Sequence, residues 1–149
     1  LTLIPKEIEY FEKCSRILIN GNKLERIPAS VLGFTSLRVL HMNNNCLESL
    51  PEETFLTEQV YEISLEKNQI SAIPISLRQI MVWSSDLKIA NLRNLSLNEN
   101  RLNSMDSIVG MTTLKRLFLN SNQISTIPLE IINLKNLMKL HLNNNSILE

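Results

Sequence analysis

One asparagine-centred phrase recurs six times along the 149 residues: CSRILINGNKL from Cys14, LRVLHMNNNCL from Leu37, VYEISLEKNQI from Val60, LRNLSLNENRL from Leu92, LKRLFLNSNQI from Leu114 and LMKLHLNNNSI from Leu137. The starts lie 23, 23, 32, 22 and 23 residues apart. Self-similarity at such a period points to a stack of short supersecondary units, each burying its apolar side only against its neighbours. Function is then to be sought on the surfaces that stacking creates.

Each phrase places apolar residues at places one, four, six and eleven, with cysteine at place one of the first, and asparagine at place nine. Apolar places four and six alternate with places three, five and seven, which is the period of a short half-buried strand. Asn22, Asn45, Asn68, Asn100, Asn122 and Asn145 fill place nine. A side-chain amide there can bond to backbone groups of the turn and of the next coil, forming an inward ladder. Unpaired, those groups would cost roughly 1–3 kcal/mol each. Three residues after the first five phrases come Ile27, Leu50, Ile73, Met105 and Ile127, and proline follows at 28, 51, 74 and 128. Pro5 sits 23 before Pro28, so every proline shares one repeat address. Proline removes a donor and fixes φ, so a return of extended or short helical segments is expected there, with Leu32, Leu77, Ile131 and Ile132 facing inward.

These phrases resemble the leucine-rich repeat family over essentially the whole chain, and the 23-residue form with Ile-Pro is similar to the Ras-suppressor and Scribble type. The resemblance implies an α/β solenoid: a curved right-handed superhelix with a parallel β-sheet on the concave face and short helical or extended segments on the convex face. It implies a non-enzymatic scaffold or regulatory module that binds a protein partner on the concave face. Two alternatives stay open. One is the substrate-recognition segment of a larger kinase, phosphatase, ubiquitin ligase or nuclease; the other is a repeat segment of an extracellular receptor or adhesin.

Leu1 lies 23 residues before Leu24, so the chain opens on the tail of a seventh repeat, and it closes just past place eleven of the sixth. With no recognisable capping segment, the expectation is a single domain over 1–149 taken from a longer chain. Fifteen basic and fifteen acidic side chains cancel, which gives no global attraction to nucleic acid or to an anionic membrane. No apolar run approaches the roughly 18–20 residues of a membrane span. Cys14 takes a core place and Cys46 a more exposed one, and they are not positioned to pair. Extracellular members of the family usually carry cysteine-rich caps, so a cytoplasmic or nuclear setting is expected.

Catalytic and cofactor motifs are absent from the sequence, and no metal or cofactor is expected. His41 and His141 both stand at place five, but four repeats apart, which at strand spacing is about 19 Å and too far to share an ion. The glycines form no phosphate-binding loop. What remains is the outward strand face. Its candidate protein-contacting residues are Arg16, Leu18, His41, Asn43, Glu62, Ser64, Glu66, Asn94, Ser96, Arg116, Phe118, Lys139 and His141. Phe118 beside Arg116, Lys139 and His141 has the aromatic and basic composition favoured at interface hot spots. The place-seven asparagines also have a structural reading, because asparagine suits a strand-end bend.

The third repeat has a return segment nine residues longer than its 23-residue neighbours, and Trp83 lies within it. Leu77, Ile80 and Met81 recur at helical spacing, so a short convex-side helix is expected, with Ser84-Ser85-Asp86 breaking it or starting another. Trp83 either packs on this bulge or meets a partner, and the stack is expected to be perturbed there.

Overall fold

A computed structural model describes residues 1–55, 59–74 and 91–148. Each phrase contributes a three-residue strand: β1 Arg16–Leu18, β2 Val39–His41, β3 Glu62–Ser64, β4 Asn94–Ser96, β5 Arg116–Phe118 and β6 Lys139–His141. They form one six-stranded parallel sheet in sequence order. The register aligns equal places, so Arg16, Val39, Glu62, Asn94, Arg116 and Lys139 make one row across it.

One side of the sheet faces the core. At place four, Ile17, Leu40, Ile63, Leu95 and Leu117 are buried; at place six, so are Met42, Leu65, Leu97 and Leu119. Places one and eleven close the strip with Leu37, Val60, Leu92, Leu114 and with Leu24, Leu47, Ile70, Leu102, Ile124. Each such side chain contributes about 1.5–3 kcal/mol of transfer free energy. Cys14 is half-buried against this core and not fully enclosed, and its thiol donates to the Arg16 carbonyl at 3.3 Å.

The place-nine ladder forms. Asn100 Oδ1 accepts from the Ile70 N–H at 3.0 Å, while its amide nitrogen donates to the Leu65 carbonyl at 2.9 Å and to Leu97 at 3.1 Å. Asn45, Asn68, Asn122 and Asn145 repeat this pattern, each joining its own turn to the preceding coil. Just before each of them the chain enters the left-handed region: Gly21, Asn44, Lys67, Glu99, Ser121 and Asn144 all have φ between 54° and 69°. That conformation costs a residue with a Cβ roughly 1–2 kcal/mol, and the bonds of the place-nine asparagine that follows it hold the turn in place.

The return side begins at proline, as expected from its fixed φ. Pro28 precedes helix α1, Ala29–Leu32; 3₁₀ turns follow Pro5 over Lys6–Tyr10, Pro51 over Glu52–Phe55 and Pro128 over Leu129–Asn133. Leu32 is buried and Ile131 half-buried, but Ile132 is 76% exposed, contrary to the inward placement read from the sequence. In a five-residue 3₁₀ turn with about three residues per turn, neighbouring isoleucines cannot share the inward side. Leu77, Trp83 and the helix expected around them lie outside the described residues. On the strand side the longer third repeat perturbs nothing: Glu62, Ile63 and Ser64 pair with Asn94, Leu95 and Ser96 in the common register.

Candidate docking face

Strand alternation sends places three, five and seven to the open side of the sheet, and the parallel register lines them up in rows. The middle of this face is a hydrogen-bonded net. His41 Nε2 lies 2.7 Å from Glu62 Oε1, and Asn94 donates to Glu62 Oε2 at 3.1 Å. Burial works against the Glu62 carboxylate, but the bonds from Asn94 and His41, with the charges of His41 and Arg16, outweigh it and hold its pKa below the ordinary value. Glu66 accepts from the Ser96 hydroxyl in a short hydrogen bond and from the Asn98 amide at 3.2 Å. Ser96 is consequently buried, at 8% exposure.

Place seven carries a second ladder. Asn20, Asn43, Asn98 and Asn120 each accept, through Oδ1, the backbone N–H of the place-seven residue on the next strand, at 2.8–2.9 Å. Asn43 Oδ1 also accepts from the Ser64 hydroxyl at 2.8 Å. The carbonyl of Asn43 thus belongs to the scaffold, by a bond to the next strand and not by tolerance of a bend. Glu66 interrupts this ladder, turning its carboxylate to Ser96 and Asn98.

The two flanks differ from the centre. On β1, Leu18 is 54% exposed. On β5 and β6, Arg116, Lys139 and His141 are exposed, and half-buried Phe118 meets His141 edge to face with centroids 4.8 Å apart. A depression of about 320 Å³ lies between centre and flank, lined by His41, Glu62, Ser64, Glu66, Asn94, Ser96, Arg116 and Phe118 together with Ile63 and Leu95. Of the residues singled out in the sequence, Arg16, Leu18, Asn43, Lys139 and His141 stay outside it. Val39, in the place-three row, is buried at 2% and offers nothing to a partner.

Sequence reasoning missed the cross-strand bonds that occupy Glu62, Glu66 and Ser96, because they depend on which side chains the register juxtaposes. It also missed the left-handed column at place eight, where Gly21, Asn44 and Asn144 were the available signal. The histidines lie on the second and sixth strands of the sheet and act separately, one on Glu62 and one on Phe118.

The Leucine Rich Repeat family profile matches residues 36–56 and 113–134. Over 130 residues the chain is 34% identical to Plant intracellular Ras-group-related LRR protein 8 of Oryza sativa subsp. japonica, covering 86% of this chain and 33% of that protein. A probable inactive serine/threonine-protein kinase of Dictyostelium discoideum, roco10, is 29% identical over 145 residues, covering 97% of this chain and 5% of the kinase. Among solved structures, an LRR protein of Leptospira interrogans superposes with a TM-score of 0.84 at 32% identity, over 97% of this chain and 35% of that one. The chain spans at most 35% of the length of these three relatives.

Proposed function

We propose, for a chain that belongs to the leucine-rich repeat family, that the open strand face docks a protein partner and that the chain works as a scaffold or regulatory module. Leucine-rich repeats generally serve as protein-interaction modules, and the division of labour on this face supports that role here. Its centre spends its polar atoms on intramolecular bonds, which makes it rigid, while Leu18 at one side and Arg116, Phe118, Lys139 and His141 at the other remain accessible. A preorganised platform with free anchors loses little entropy on binding. The carrying observation is the Phe118–His141 stack, an aromatic anchor next to exposed cations.

The chain acts as one repeat domain within a larger protein, a reading supported by the small share of each relative that it spans. The kinase relative favours a second reading, in which such a segment selects substrates or regulators for a signalling protein. A cytoplasmic setting is supported by the rice relative described as intracellular and by two unpaired cysteines.

The test is capture of partners by the chain, by an Arg116→Glu, Phe118→Ala double variant, and by Glu25→Lys away from the face. Partners held by the chain and by Glu25→Lys but lost by the double variant uphold the proposal. Partners retained by all three place recognition elsewhere.

A further inference from the structure

We infer that β4–β6 form a patch selecting an acidic peptide segment of the partner; this rests on the docking reading above and names its chemistry. Arg93 and Lys115 stand at place two of consecutive repeats, and Arg116 and Lys139 at place three. All four are exposed, and among the described residues none makes an ion pair or a side-chain hydrogen bond. Arg116 sits directly opposite Lys139 in the register. Like charges in that position weaken a sheet, so this pair disfavours folding while leaving two guanidinium or ammonium donors free on one row. The open places three, five and seven of β5 and β6 carry no acidic residue, and neither does place two, just before each strand. An anionic group arriving there meets unspent donors, while Glu62 and Glu66, which line the same depression as Arg116, are bonded to His41, Asn94, Ser96 and Asn98.

The adjoining Phe118–His141 stack supplies an apolar surface beside the cations. Three strands span about 10 Å, which accommodates roughly three or four residues of extended chain. The occupant is therefore a short segment whose carboxylates reach Arg116 and Lys139 through charge-assisted bonds, with an apolar side chain against Phe118. A continuous polyanion fits less well. Beyond β4 it would run onto Glu62 and Glu66, and the chain carries a formal net charge of +0.

The experiment is fluorescence anisotropy of the whole chain with a labelled peptide of alternating glutamate and leucine, a lysine-for-glutamate counterpart, and an oligothymidylate. The acidic peptide should bind, weaken as salt rises, and lose roughly fivefold or more in affinity with either Arg116→Glu or Lys139→Glu, but not with Lys13→Glu. Circular dichroism checks that the variants stay folded. Equal affinity for both peptides, or unchanged affinity in the two reversed variants, overturns the charge selection; so does preferential binding of the oligothymidylate. Should no acidic peptide bind while captured partners still depend on Phe118, the patch assignment falls and the docking reading stands.

Discussion

His41 on the second strand reaches across to Glu62 on the third, Nε2 to Oε1 at 2.7 Å, joining two repeats on the face that is otherwise open to solvent. The carboxylate is stabilised in its charged form, with a folded-state pKa below its ordinary 4.5. A depressed carboxylate pKa contributes stability that is present above the ordinary value and lost as pH falls through the folded one. Glu62→Gln should therefore lower the urea midpoint at neutral pH, and its gap from the unaltered chain should close as pH falls below about 4.5. A gap independent of pH would mean that the charge on Glu62 contributes nothing.

Asn100 is enclosed, at 7% exposure, and bonds to Ile70, Leu65 and Leu97. Asn100→Ala should cost about 1–3 kcal/mol by leaving those backbone groups unpaired. Denaturation that leaves the midpoint in place would contradict the inward ladder.

At place eight the backbone is left-handed whatever the residue. Ser121→Val should lose about 1 kcal/mol or more, since a β-branched side chain is strained there. Glu99→Gly should hold or gain stability, by up to about 1 kcal/mol, because its surface contact with Lys67 at 3.7 Å is worth little. Thermal melts of the two variants moving in the same direction would be inconsistent with the strain argument.

Phe118→Ala should cost about 0.5–1.5 kcal/mol through loss of its edge-to-face contact with His141, yet weaken partner binding far more than that change in stability explains. Leu18→Ala, on the opposite flank, serves as comparison. A large loss of stability with full binding would make Phe118 a structural residue only.

Arg116→Glu creates an opposite-charge pair with Lys139 where like charges now face each other. Stability should rise slightly, toward the lower end of about 0.2–1 kcal/mol because both groups are exposed, while binding declines. Gain in one and loss in the other is the signature of a residue kept for recognition; a parallel fall in both would assign Arg116 to the fold.

Much of the architecture was legible because each device repeats at one address. Period-two places four and six became the buried side of the strands, place nine became the ladder, and Pro5, Pro28, Pro51 and Pro128 each open a turn on the return side. Contacts between side chains of neighbouring repeats were not legible. Glu66 looks like a free acid in the sequence but serves Ser96 and Asn98, and Ser96 looks exposed but is buried by that service. Such pairs depend on register and rotamer, which a pattern of apolar places does not encode. Ile132 shows the same limit on the return side, where the turn type decides which of two adjacent isoleucines goes in.

The most direct measurement is photo-crosslinking in native extract, with a photoreactive amino acid placed in turn at Arg116, at Phe118 and, on the return side, at Ile132. The open strand face predicts that one partner is trapped from Arg116 and Phe118 and not from Ile132. The same partner trapped from Ile132 alone would contradict it.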